Sequence, residues 1–198
     1  MASPVKPGGG GQREICLMAG DILIRSSRDD DVPAIAAIYG HHVLHGVASF
    51  EDVAPDAAEM ARRRNDIVTR GFPYLVAERG GGVVGYCYAG PYRARIGYRF
   101  TVEDSIYIHP DEVGRGIGRV LLAEVIEDVT ARGYRQMIAV IGGSETVASI
   151  RLHAALGFNQ IGLFPAIGFK FGRWIDSVYM QRALGPGEAT LPQEVRHD

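Results

Sequence analysis

The residues best suited to chemistry run from Ile106 to Leu122, Ile-Tyr-Ile-His-Pro-Asp-Glu-Val-Gly-Arg-Gly-Ile-Gly-Arg-Val-Leu-Leu. An apolar run, a loop with Gly114, Gly116 and Gly118 at alternate positions, and the start of a helical pattern together make an anion cradle. Glycine lets the backbone approach a ligand without Cβ interference, and the following helix offers unpaired N–H groups and the positive end of its dipole. A phosphate-bearing ligand suits such a place, with Arg115 and Arg119 as flanking cations. What the loop lacks narrows the choice. A P-loop closes on Gly-Lys-Ser or Gly-Lys-Thr, whereas Gly118 is followed by Arg119 and Val120. A Rossmann fingerprint spaces its glycines G-x-G-x-x-G, with an acid roughly twenty residues on. Here the third glycine falls one place early, and Tyr134-Arg135-Gln136-Met137-Ile138 holds no acid. The competing reading is a tight strand-to-helix turn.

The elements that must position this loop alternate in type. A strand at 22–25 precedes a helix signalled by Asp31 and Pro33, and Pro55-Asp56 opens a second helix that stops at Gly71. Strands at 74–78 and 83–88 flank a Gly80-Gly81-Gly82 turn and read as an antiparallel hairpin. Residues 100–110 supply the next strand. The helix after Gly116 is expected to bury Val120, Leu121, Ile126 and Val129 and to end at Gly133. A strand over 136–141, a helix over 147–156 and strands over 164–171 and 175–182 complete an α/β fold, a mixed sheet with helices on both faces.

With 198 residues and 46% hydrophobic content the chain suits one compact domain with two tails. The N-terminal residues 1–20, with Pro4, Pro7 and glycines 8–11, read as a flexible tail, 21–184 as the folded domain, and 185–198, opening on Gly185-Pro186-Gly187, as a second flexible tail. A net charge of -2 and the lack of a basic stripe argue against a nucleic-acid partner. Arg62-Arg63-Arg64 reads as a solvated helix face. The apolar stretch 15–19 is too short to span a membrane and lacks the layout of a secretion signal. Cys16 and Cys87 have no metal-ligand spacing, and a reducing cytoplasm fits them. His41, His42 and His45 read as surface or helix-end residues.

The glycine loop resembles the pyrophosphate loop of the GNAT family of N-acetyltransferases, although Val113 stands where that family carries Gln or Arg. Four further segments resemble one subgroup, the phosphinothricin and methionine sulfoximine N-acetyltransferases: 148–158 with its Leu152-His153 pair and Leu156-Gly157-Phe158, 168–181 with Gly168-Phe169-Lys170-Phe171-Gly172-Arg173-Trp174, 98–103 ending in Glu103, and Ala48-Ser49-Phe50-Glu51. The resemblance spans about residues 22–184. It implies the GNAT fold with a mostly antiparallel central sheet, acetyl-CoA as acetyl donor without a metal, and a small amine as acceptor.

The resemblance also implies roles. A base must deprotonate an amine that is ammonium at neutral pH, and the subgroup's base maps onto Glu103. Burial among Phe100, Val102 and Ile106 is expected to raise its pKa; the alternatives are an ion pair at a strand end, or Asp104 as the base. Ile106, Tyr107 and Ile108 are expected to pair with the pantetheine arm, and Val113, Gly114, Arg115, Gly116, Ile117, Gly118 and Arg119 to hold the diphosphate. Thr146 replaces the subgroup's asparagine and, with Ser149, flanks the cofactor; Thr146 alternatively caps the next helix. His153 stands where relatives carry a tyrosine acid and either serves the departing thiolate or is a packing residue. Phe50, Arg93 and Arg99 are candidates for the acceptor's carbon chain and acidic groups, or else core and solvated residues. Relatives are commonly dimers. The alternatives are another small amine or a peptide N-terminus as acceptor, a non-catalytic CoA-binding sensor, and a nicotinamide-binding dehydrogenase supported by the glycine turn alone.

Overall fold

The computed structural model describes residues 16–194. In chain order the elements are β1 (Cys16–Ala19), β2 (Ile22–Ser26), α1 (Val32–His45), α2 (Ala57–Thr69), β3 (Tyr74–Arg79), β4 (Gly82–Pro91), β5 (Thr101–Ile108), α3 (Ile117–Ala131), β6 (Gln136–Gly142), α4 (Val147–Ala155), β7 (Asn159–Lys170) and β8 (Arg173–Ala183). One eight-stranded sheet runs β1-β2-β3-β4-β5-β6-β8-β7. All its pairings are antiparallel except β5 with β6.

Strand alternation divides the sheet's side chains between two cores. Tyr74, Val76 and Tyr86 meet Ile35, Ile38 and Val43 of α1 and Met60 of α2 on one face. Leu75, Ala77, Cys87 and Val102 meet Leu121, Leu122, Val125 and Val129 of α3 on the other, with Ile150 and Leu152 of α4 packed alongside. Val120 is only half-buried, because the buried stripe of α3 runs through 121, 122, 125 and 129.

Helix starts follow their local chemistry, with one exception. Asp56 caps α2 by accepting from Glu59 N at 2.8 Å. Asp31 precedes α1 but does not cap it. Its carboxylate takes Arg25 Nη1 at 2.7 Å and Nη2 at 2.8 Å, and Arg28 N at 2.7 Å. Burial opposes the charge on Asp31, but these donors outweigh it and hold the carboxyl below its ordinary value.

Several sequence-based expectations need correction. Cys16–Ala19, assigned to the tail, is an edge strand paired with Ile22–Arg25, an assignment that its exposed side chains give no periodicity to suggest. Residues 185–194, expected to be loose, fold back over Arg135, whose Nη1 donates to Gly187 O and Thr190 Oγ1 and whose Nη2 donates to Leu191 O. β7 begins at Asn159, earlier than its apolar run suggests. Arg64 is buried, held by Ser27 and Asp29, while Arg62 and Arg63 pair with Glu59. Residues 1–15 and 195–198 lie outside the described residues. No described helix is long and apolar enough to cross a membrane.

Arg25 and Asp31 are 9% and 6% exposed, so removing one partner strands a buried charge. Asp31→Ala is expected to cost about 3 kcal/mol at neutral pH, read as a lower urea midpoint at unchanged slope. The contribution of a carboxylate with a depressed pKa is lost as pH falls through that value, so the gap from wild type should close in acid. A gap that persists there would show that packing rather than the ion pair is at stake.

Candidate active site

β5 pairs with β6 only from Thr101 to Glu103, opposite Gln136 to Ile138. Beyond that the two strands part, while β5 stays on β4 as far as Ile108. Phe100 O accepts from Arg135 N and Gln136 N on the β6 side, and His109 N donates to Val84 O on the β4 side. Alternation therefore turns the carbonyl of Asp104 and the peptide groups of Ile106 and Ile108 toward the gap, where no strand lies opposite them. The gap is a cavity of about 550 Å³, walled by β5, the glycine loop, the end of β6 and α4. Ile108 O meets one protein donor there, His42 Nε2 at 2.8 Å.

At one end of the cavity the glycine loop enters α3. Gly114 and Gly116 have φ of +81° and +79°, and a Cβ on either would point into open space. Gly116 caps α3 with no side-chain bond and no acid follows in the first turn, so the helix start is free to receive an anion. Gly118 differs in kind: its missing Cβ leaves room for Leu152, 3.2 Å away, and Ile106, and so serves packing.

At the other end lie two adjacent carboxylates on opposite faces of β5. Glu103 shares its face with Tyr107 and the α1 core, whereas Val102, Asp104 and Ile106 face α3 and α4. Val102 and Ile106 therefore do not bury Glu103, contrary to expectation. Burial, then the charge of Asp104, pushes Glu103 up to about 7, against the opposing pull of Arg93. Asp104 is 6% exposed and its Oδ2 lies 3.1 Å from His153 Nε2; its Oδ1 has no partner. His153 is 2% exposed and its Nδ1 lies 2.8 Å from Ser149 O. A carboxylate and a carbonyl both accept, so each ring nitrogen faces an acceptor, with Ser149 Oγ also 3.4 Å from Nδ1. Burial disfavours a charge on the ring, but the hydrogen bond and charge of Asp104 outweigh it and raise the pKa.

A sequence model described as an acetyltransferase (GNAT) domain matches residues 24–179. The chain belongs to the GNAT acetyltransferase family. It is 55% identical over 170 residues to a phosphinothricin N-acetyltransferase of Alcaligenes faecalis, covering 86% of each chain. It is 41% identical to an L-methionine sulfoximine/L-methionine sulfone acetyltransferase of Salmonella typhimurium, covering 82% of this chain and 95% of that one. The crystal structure of a GNAT phosphinothricin acetyltransferase from Sinorhizobium meliloti in complex with acetyl-CoA superposes with a TM-score of 0.85 at 50% identity, over 88% of this chain and 94% of that one.

As a GNAT enzyme the chain uses acetyl-CoA as acetyl donor, and the cavity suits it: an open anion cradle at one end, unpaired strand edge along its length, and titratable groups at the other. Ile106, Tyr107, Ile108, Val113, Gly114, Gly116, Ile117, Gly118, Arg119, Thr146, Ser149, Glu103 and His153 all line it. Arg115 does not; it is exposed and 3.5 Å from Glu112. Nor do Phe50, Arg93 and Arg99. Phe50 is part-exposed and packs against Gly142 and Gly168. Arg93 stacks over Tyr92 at 5.1 Å, and Arg99 over Phe100 at 4.5 Å. Thr146 precedes α4 without capping it and donates instead to Gly142 O at 2.8 Å. Among the described residues no group of three or more His, Cys, Asp and Glu is arranged to hold a metal.

Sequence reasoning missed the role of His42, which sits half-buried in the last turn of α1 and lines the cavity. Its signal is spacing: Ile35, Ile38 and Tyr39 put position 42 on the buried stripe of α1, and put His41 and His45 off it. Burial lowers its pKa despite the bond to Ile108 O.

The Asp104–His153 pair sets one measurable expectation. The His153 ring should titrate above the ordinary histidine value in an NMR pH series, and Asp104→Asn should bring it down, since desolvation then acts without the opposing charge. Equal values in the two proteins would separate His153 from Asp104.

Proposed function

We propose that this enzyme transfers the acetyl group of acetyl-CoA directly to the amino group of a small amino-acid-like substrate of the phosphinothricin or methionine sulfoximine type, with Glu103 as general base. The observation that carries this is Glu103 itself, a carboxylate at the cavity wall brought to about 7 by burial and by Asp104. A base of that strength is ionised in a large fraction at neutral pH and still takes a proton from an ammonium group held against it. The names of these two relatives supply the acceptor class.

When bound, acetyl-CoA supplies a thioester carbonyl open to attack. Glu103 removes the proton of the incoming ammonium and so exposes its lone pair. The N–H of Ile106, on the free edge of β5, offers a donor for the negative charge that develops on the carbonyl oxygen. His153 holds a proton at the same end; delivering it to the departing thiolate requires the ring to release one acceptor, and Asp104 at 3.1 Å is the longer contact. Arg93, whose charge is felt at Glu103, is the cation assigned to the acceptor's acidic group, in preference to Arg99, which is tied to Phe100 and Ile96. Phe50, beside the cavity and outside its lining, is the side chain assigned to the carbon chain.

We also propose a homodimer formed through β7. This edge strand exposes Ile161, Leu163, Phe164, Ile167 and Phe169, and Trp174 of β8 lies beside them. A long apolar edge left in water is an association surface.

Two measurements test these readings. With acetyl-CoA saturating, kcat/KM for a phosphinothricin-type amine should rise through about pH 7 as Glu103 loses its proton. Glu103→Gln should abolish that limb and lower turnover by roughly 10²- to 10⁴-fold, with acetyl-CoA affinity nearly unchanged. A limb that survives the substitution would assign the base elsewhere. By sedimentation the 21.5 kDa chain should run as a dimer and Trp174→Glu as a monomer; a monomeric wild type would refute the interface.

A further inference from the structure

No step above uses the buried cation Lys170. It is 2% exposed, and a charge in that position is costly unless its donors are satisfied. Its Nζ donates to Ser49 O at 2.6 Å and to Gly46 O at 3.0 Å. Both carbonyls belong to the segment that leaves α1, in which Ala48 lines the cavity. Lys170 thus ties the far end of β7 to the wall of the active site across more than a hundred residues of chain.

The same segment is seated by absent side chains. Two residues before Lys170, and on the same face of β7, a Cβ on Gly168 would lie 2.6 Å from Phe50 Cε2. On β6, a Cβ on Gly142 would run into the carbonyl oxygen of Val47 and would lie 3.5 Å from Phe50 Cε1. The Phe50 ring therefore reaches from β6 to β7, flat against two positions without side chains. On its other flank the segment is pinned by Tyr39, whose hydroxyl donates to Glu51 Oε1 at 2.7 Å and lies 2.9 Å from Ser49 Oγ. The opposite rim is held from the same hairpin: Asp176 accepts from Ser144 Oγ at 2.8 Å and Ala166 N at 2.9 Å, and Arg173 pairs with Glu145 at 2.6 Å. The β7–β8 hairpin clamps both lips of the cavity, and Lys170 is its grip on the lip that carries Phe50.

We propose that Lys170 is a positioning residue for the amine acceptor, fixing residues 46–50 so that Ala48 forms the acceptor's wall and Phe50 stays seated beside it. This rests on the acceptor reading given above. Holding a wall in place alters how well the acceptor is bound and oriented, and leaves the acetyl-CoA cradle, on the other side of the cavity, untouched.

Steady-state kinetics with both substrates varied test this. Lys170→Met keeps the aliphatic stem and removes the donors. Its KM for the amine should rise on the order of tenfold, with KM for acetyl-CoA and kcat within about twofold. Lys170→Gln, which retains an amide donor, should fall between it and wild type. Gly168→Ala should reproduce the split by displacing Phe50, and it decides the matter if Lys170→Met does not fold. An unchanged amine KM, or a parallel rise in KM for acetyl-CoA, would overturn the proposal; a purely structural role would lower the melting temperature without separating the two constants. If wild type acetylates no amine in a panel of amino-acid analogues, the acceptor reading fails instead, and amide hydrogen exchange over 46–52 still judges the clamp. Faster exchange in Lys170→Met supports it, and equal exchange refutes it.

Discussion

The structure turns on one broken pairing. β5 and β6 hold together as far as Glu103 and Ile138 and then separate, so a central strand of the sheet presents an edge in the interior of the molecule. Buried backbone N–H and C=O groups require partners, and an edge facing a cavity acquires them from a ligand or from an intruding side chain. His42 fills that role at Ile108; the remaining edge is available to an extended ligand that pairs as an added strand would. A parallel pair is suited to such a split. No hairpin joins its strands, and the connection between them carries the glycine loop and α3, so opening the pair brings the anion cradle to the mouth of the gap.

Keeping the gap open requires material on both sides of it. α3 and α4 close it from one face with apolar side chains, and Gly118 lets Leu152 and Ile106 approach. On the other face the wall is a segment without regular structure, and irregular backbone stays in place only where bonds over-determine it. Tyr39, Lys170, Gly142 and Gly168 meet that need from three different elements, α1, β6 and β7.

Much of this was legible in the chain because it is local. Pro33, the Asp56 cap, the glycine turn before residue 83 and the loop from Val113 to Gly118 each act within a few residues, and the elements follow them. What escaped depends on distance in sequence. The four residues of β1 are exposed and carry no periodic signal. The C-terminal fold-back depends on Arg135 more than fifty residues away. Thr146 has the right type for a cap, and only the nearness of the Gly142 carbonyl sends its hydroxyl backward. Lys170 reads as a surface lysine until the loop from residue 46 is laid over it. His42 was within reach, since its spacing from Ile35 and Ile38 marks it, but treating the neighbouring histidines as one group hid the stripe.

Glu103 and Asp104 show how one strand makes two different acids from adjacent residues. Alternation sends them to opposite faces, so each has its own surroundings while remaining close enough to feel the other's charge. Asp104 has His153 as its partner; Glu103 has no such partner, is desolvated, and feels the charge of Asp104. Pairs of titratable groups driven apart in this way mark acid and base roles. The arrangement also has a cost. A carboxyl whose pKa is raised by the fold binds its proton more tightly when folded than unfolded, so stability is lost as pH climbs from its ordinary value toward about 7. A side chain retained at the expense of stability is one the fold does not need for itself, and that is the physical ground for reading Glu103, rather than Asp104, which is paired with His153, as the residue that acts on substrate.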